Sequence, residues 1–169
     1  MRAVAQGVVA VGLLAPAVRM VELHPAQYAY FNEIAGGTQG ALGRYDLDYW
    51  GVSLREATVE LSRRLEEAGL AGPRHLKVVV CADDTSAAYF FPPYLELTTD
   101  PAQADLEIGL NEFYCPLTRH GQRLFEVSRD GAPLAYVADA RPETGRLAAL
   151  WPGAADRVIV RAATHRSGG

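Results

Sequence analysis

Residues 3–18, AVAQGVVAVGLLAPAV, carry no charge and only one strongly polar side chain, Gln6; Arg2 precedes them and Arg19 follows. A bilayer-spanning helix wants roughly 20 apolar residues, about 17 at the short end. The run reaches that length only by extending to Leu23 and tolerating Arg19 and Glu22. We read residues 1–23 as an apolar helix, the last transmembrane segment of a longer protein. Two rivals stay open. A secretory signal would use Arg2 as its basic end and Ala15-Pro16-Ala17 as its cleavage site. A soluble core helix is the other, but Val4, Val8, Val9, Val11, Leu13 and Leu14 cover every face, which favours lipid or deep burial. Arg2 against Arg19 gives no charge asymmetry from which to read orientation.

Residues 24–52 form a Gly/Tyr-rich connector. Four of the eight tyrosines, one of the two tryptophans and glycines at 36, 37, 40, 43 and 51 fall here. His24-Pro25 breaks the first helix, and proline suits the start of another over residues 26–34, ended by Gly36-Gly37. Tyr28 and Tyr30, just beyond an apolar span, suit an interfacial aromatic belt; a core aromatic cluster is the alternative. Residues 36–51 read as a loop in which Arg44, Asp46, Asp48, Tyr49 and Trp50 interleave charge with aromatic rings. A sugar or phosphosugar site uses such groups. So does a loop that docks on its neighbour by aromatic anchors, and docking is the favoured role.

The soluble domain is placed at residues 53–163. Ser53-Leu54-Arg55-Glu56 matches a capping box, opening a helix over 53–68 with Leu54, Ala57, Leu61, Leu65 and Ala68 inward. Gly69 fits its left-handed cap, with Leu70 folding back, and Glu60 and Arg64 are spaced to pair on the wet side. LKVVVCA, residues 76–82, reads as a buried strand. Asp83 and Asp84 follow at its carboxyl end, where α/β sheets bind ligands. They are candidates for a metal or acid/base site, but capping of a helix over 86–91 is favoured, with Asp84 as first cap. Strands are expected at 95–98 and at 106–110, the latter with Leu106, Ile108 and Leu110 inward and Glu107 outward. A loop over 113–121 carries Cys115 and His120. A hairpin pairs 123–128 with 134–138 across Asp130-Gly131. A short helix over 142–150, a strand or loose tail over 157–162 and disorder over 164–169 complete the reading. The expected fold class is α/β, a small mixed β-sheet flanked by helices behind an apolar, membrane-type helix.

Several functions are disfavoured. A net charge of -4 and pI near 5.5 leave no basic stripe, so nucleic acid is not expected as a partner. Cys81 and Cys115 lack metal spacing; a single bridge is open to them if their strands are neighbours, but two half-buried thiols are favoured. There is no phosphate-cradling loop, no Gly-x-Ser-x-Gly elbow and no zinc-type histidine pair. His24, His75, His120 and His165 are scattered. No cofactor, metal or catalytic residue is assigned.

The apolar run followed by LHPAQYAYFNEIAGG and then GALGRYDLDYWGVSLREA resembles the C-terminal end of bacterial integral-membrane glycosyltransferases related to the dolichyl-phosphate-mannose protein mannosyltransferases. The resemblance covers roughly residues 10–60. It implies transfer of a sugar from a polyprenyl-phosphate donor to an acceptor outside the cytoplasm. It also implies a membrane location, with the soluble domain extracytoplasmic. The family's catalytic acidic residues belong to a first extracytoplasmic loop upstream of any residue here, so none is carried over. The chain is then a C-terminal module, not catalytic by itself, whose partners are the membrane or the membrane body of a glycosyltransferase, with carbohydrate or a polyprenyl-phosphate sugar as ligand. The alternatives are a secreted or membrane-anchored carbohydrate-binding domain gripping sugar with Tyr49 and Trp50, and a small enzyme using Asp83, Asp84 and His120.

Overall fold

A computed structural model describes residues 1–73, 75–111, 115, 121–141 and 147. The expected elements at 142–150, 157–162 and 164–169, and His120, lie outside the described residues.

Helix α1 runs over Arg2–Glu22. At about 1.5 Å per residue it is about 31 Å long, close to the thickness of a bilayer's hydrocarbon core. Its large aliphatic side chains Val4, Val8, Val9, Val11, Leu13, Leu14, Val18 and Val21 are exposed, and none of its apolar window is buried against the rest of the chain. It is the one helix among the described residues long and apolar enough to cross a membrane; a signal sequence has the same properties. A core helix of the domain it is not, because no domain surface covers it.

Helix α2 (Gly37–Ala41) lies in the connector and is followed by α3 (Val52–Glu67). A five-stranded mixed sheet then forms from β1 (Leu76–Cys81), β2 (Leu95–Leu97), β3 (Leu106–Leu110), β4 (Gln122–Arg129) and β5 (Ala132–Asp139), in the order β2-β1-β3-β5-β4. β1 pairs in parallel with β2 and β3; β5 is antiparallel to both β3 and β4. A short helix α4 (Asp84–Ala88) follows β1. This is the α/β architecture expected, with an apolar helix in front of it.

α3 forms one wall of the core. Leu54, Ala57, Leu61 and Leu65 recur at helical spacing and are fully buried against Val78, Leu106, Ile108, Ala135 and Val137 of the sheet. Each such leucine contributes about 2 kcal/mol by leaving water. The helix ends as expected: Gly69 adopts a left-handed φ of 69°. The Leu70 amide donates to the Leu65 carbonyl and Gly69 to Glu66, the paired bonds of a Schellman cap. The β4–β5 turn has positive φ at Asp130 and Gly131 (49° and 74°), the geometry of a type I′ hairpin.

Four local expectations are corrected. Residues 26–34 do not form one helix: 3-10 turns at Gln27–Ala29 and Glu33–Ala35 are separated by extended backbone at Tyr30 and Asn32. The Asn32 side chain accepts from the Ala35 amide at 3.0 Å and starts the second turn afresh. The glycine-rich stretch expected as loop contains α2. The helix after β1 spans Asp84–Ala88 rather than 86–91. Glu107 is not outward but buried. β3 is the central strand, covered on both faces, and the Tyr136 hydroxyl donates to Glu107 Oε1 at 2.6 Å. Tyr136 can lie there because position 109 is glycine; a Cβ at Gly109 would come within 2.6 Å of the ring.

The cysteines are also corrected. β1 and β3 are neighbours, and Cys81 at the end of β1 is disulfide-bonded to Cys115, with Cα atoms 5.7 Å apart. The bridge depends on β1 and β3 being neighbours, which strand pairing and not cysteine count or spacing decides.

Candidate functional site

The connector holds most of the sequence-nominated residues, and the structure divides them into two groups. Asp48 is buried at the start of α3. Its Oδ1 accepts from the Val52 amide at 3.1 Å and from the Tyr28 hydroxyl; its Oδ2 accepts from the Ser53 amide at 3.0 Å and from the Ser53 hydroxyl. A carboxylate at a helix N-terminus satisfies orphan donors and opposes the positive end of the dipole. Asp48, not Ser53, therefore caps α3, and the expected capping box does not form. Gly51 in the left-handed region, φ 64°, bends the chain so that a residue three positions earlier reaches the first amides. Ser53 donates to the cap instead of being it, and Glu56 turns away to the Arg129 guanidinium, 3.3 Å to its Oε1. Burial first, and then the adjacent Asp48 carboxylate, push the Tyr28 hydroxyl well above its ordinary pKa; it stays a donor at physiological pH.

Leu47, beside Asp48, is buried with Ala26, Ala29, Ala41, Ala132 and Leu134. The loop is held down by Leu47 and Asp48, not by the aromatic rings expected to anchor it. Tyr49 and Trp50 are each 72% exposed and meet edge to face with centroids 5.3 Å apart. Tyr45 is exposed and stacks on Phe31 at 5.3 Å. Arg44 and Asp46 are exposed and have no ion-pair partner among the described residues.

Asp83 and Asp84 lie elsewhere, beyond the carboxyl end of β1. Asp83, not Asp84, is the helix cap: it accepts from the Thr85 amide at 3.2 Å and the Ser86 hydroxyl at 2.6 Å. The Ser86 hydrogen bond leads the causes that hold its carboxyl below the ordinary value. It is an anion engaged in capping, poorly suited to donating a proton near neutrality. Among the described residues no group of three His, Cys, Asp or Glu side chains is placed to hold a metal ion.

One cavity, of about 360 Å³, was not anticipated. It sits where α1 meets the domain and is lined by Arg19, Glu22, Tyr30, Phe31, Glu33 and Asp130, among others. Arg19 lies 2.9 Å from Glu22 and 3.5 Å from Asp130 in the β4–β5 turn. The only sequence signal was Arg19 and Glu22 at three-residue spacing in the tail of an apolar helix, where they looked merely tolerated. Asp130 is 111 residues from Arg19, so no local pattern announces the contact. No family model matches the chain, and no curated protein or solved structure matches it.

Proposed function

We propose that this chain is the extracytoplasmic C-terminal module of a membrane glycosyltransferase that uses a polyprenyl-phosphate sugar, anchored by α1 and not catalytic by itself. One observation carries the reading: an apolar helix of spanning length, unburied by protein, runs without a spacer into a folded α/β domain. Glu22 ends α1, and Leu23 and Ala26 are already buried. The residues that carry the family resemblance support it by what they do. Tyr28, Asp48 and Gly51 tie the segment that follows α1 to the start of α3, so the stretch of the resemblance links the apolar helix to the domain. The Cys81–Cys115 bridge suits an oxidising compartment.

The test is fractionation and assay of the expressed chain. Retention of the uncleaved chain after a carbonate wash, protease access to the domain only from outside the inner membrane, and no sugar transfer by the chain alone are expected. Release with an intact N-terminus, or transfer without a partner, would overturn the proposal. A carbohydrate-binding domain is a second reading, favoured by the exposed Tyr49–Trp50 pair, since flat aromatic faces stack on sugar rings. Calorimetry should then show sugar affinity that disappears in Trp50→Ala; an unchanged affinity sinks that reading.

A further inference from the structure

The exposed aromatic side chains are concentrated at one end of the domain. Asp130 in the β4–β5 turn touches Arg19 near the end of α1, which fixes that turn at the helix-bearing end. β5 leaves the turn antiparallel to β3, so Leu110, at the carboxyl end of β3, lies at the same end, opposite Ala135. β1 is parallel to β3, with Cys81 beside Gly109, so the chain that leaves β1 emerges there too. The segments at this end are the connector and the stretch just after β1. They expose Ile34 (98%), Tyr45, Tyr49, Trp50, Tyr89 (83%) and Phe90. Arg55, in the first turns of α3, covers one face of the Phe90 ring at 5.5 Å.

The opposite end differs. Its described residues are joined by polar contacts: Lys77 to Gln103 at 2.6 Å, Arg141 to Asp105 at 3.0 Å and Tyr94 to Glu66 at 3.0 Å. None of the exposed large apolar side chains among the described residues falls there; beyond α1, the connector and Tyr89-Phe90, the remaining one is Val59 in the middle of α3.

We propose that the helix-bearing end is a bilayer-docking face, with Ile34, Tyr45, Tyr49, Trp50, Tyr89 and Phe90 in the headgroup layer of the leaflet from which α1 emerges. The inference rests on α1 spanning the membrane and adds where the domain then sits. With about 31 Å of helix and Leu23 already inside the domain core, no slack remains to hold this end off the lipid. Tyrosine and tryptophan favour that layer because the ring is apolar and one polar edge stays wet. Attraction to anionic lipid is not the cause, since Glu22, Glu33, Asp46, Asp83, Asp84 and Asp130 outnumber Arg19, Arg44 and Arg55 here. The contact is therefore not weakened by salt and gains nothing from added anionic lipid.

The experiment uses the full chain carrying Trp151→Phe, so that Trp50 is the only tryptophan, in phosphatidylcholine vesicles containing lipids brominated close to the headgroup or close to the chain end. Flotation with the vesicles, a blue shift of Trp50 emission and stronger quenching by the shallow bromine are expected, unchanged at high salt. In chains lacking both native tryptophans, Tyr89→Trp should be quenched in the same way and Glu96→Trp, on the edge strand β2, should not. A chain that floats while positions 50 and 89 stay unquenched and open to acrylamide would overturn the docking face alone, leaving it free for sugar or protein. Quenching abolished by salt would overturn the aromatic account. Failure to float would remove the span and this inference together.

Discussion

The two faces of the sheet are built on different principles. Against α3 the surface is a run of aliphatic side chains, Val78, Leu106, Ile108, Ala135 and Val137, packed on Leu54, Ala57, Leu61 and Leu65. The other face buries a carboxylate, Glu107, under the Tyr136 hydroxyl, with Arg123 4.6 Å above the Tyr136 ring and the Cys81–Cys115 bridge alongside. Burial on the first face is driven by area removed from water, and any apolar group of the right volume contributes. On the second it is tolerated only because specific partners meet specific groups. One face is forgiving in chemistry and strict in volume; the other is the reverse.

Substitutions separate the two. Replacing Cys81 and Cys115 together by serine opens a loop of 34 residues and should cost about 4 kcal/mol in the chain-entropy view. Urea unfolding in detergent micelles should show the midpoint fall, and dithiothreitol should then have no further effect on the variant. Leu61→Ala, on the α3 face, should cost about 3 kcal/mol through lost burial and a cavity, measured in the same way and independent of redox conditions. Equal redox sensitivity in both variants would erase the distinction. Tyr136→Phe keeps the ring and removes one donor from Glu107; a loss of about 2 kcal/mol is expected, and a change within error would mean that the polar face does not depend on that bond.

The α3 face has a flaw that sharpens the contrast. The Thr58 hydroxyl is fully buried without a hydrogen-bond partner among the described residues. Thr58→Val should raise stability by about 1 kcal/mol, seen as a higher urea midpoint. The smallest effect belongs to the exposed side of the same helix. Hydrogen bonds from Arg63, then Arg64, hold the Glu60 pKa at about 2. A depressed carboxylate pKa stabilises the fold above the unfolded value and loses that contribution as pH falls through the folded one. The loss therefore lies between the ordinary glutamate pKa and about 2, and should stay below about 1 kcal/mol for so accessible a pair. Comparing Glu60→Gln with the parent chain over that window checks it.

Legibility from the sequence follows the same division. The α3 stripe, its Gly69 cap, the bounds of β3 and the Asp130-Gly131 hairpin are written in local periodicity and in residues that tolerate positive φ, so reading along the chain finds them. Glu107 was misplaced because strict alternation assumes one wet face, and a strand between two neighbours with both faces covered has none. Ser53-x-x-Glu56 is a sound local signal that lost to two features outside its window: the Gly51 bend that brings Asp48 to the helix start, and Arg129, 73 residues away, which takes Glu56. Within the candidate site the residue types of the connector were legible, but their division into a buried cap and exposed rings was not. Composition does not say which carboxylate in Asp46-Leu47-Asp48 turns inward; the free amides at the start of α3, brought to position 48 by the Gly51 bend, decide it. The cavity beside Arg19 depends on a turn that long-range strand pairing delivers, and no run of neighbouring residues encodes it.

The burial of Leu23 immediately after α1 bears on how the domain could ever be shed. Proteases that release ectodomains need several residues of extended, accessible backbone to thread through their clefts. Between Glu22 and Ala29 the chain offers a helix end, three buried side chains (Leu23, Ala26 and Ala29) and a 3-10 turn instead. If α1 spans a bilayer as proposed, release at this point has to wait for the joint itself to unfold, and the domain's lifetime there is set by local unfolding rather than by how much protease is present.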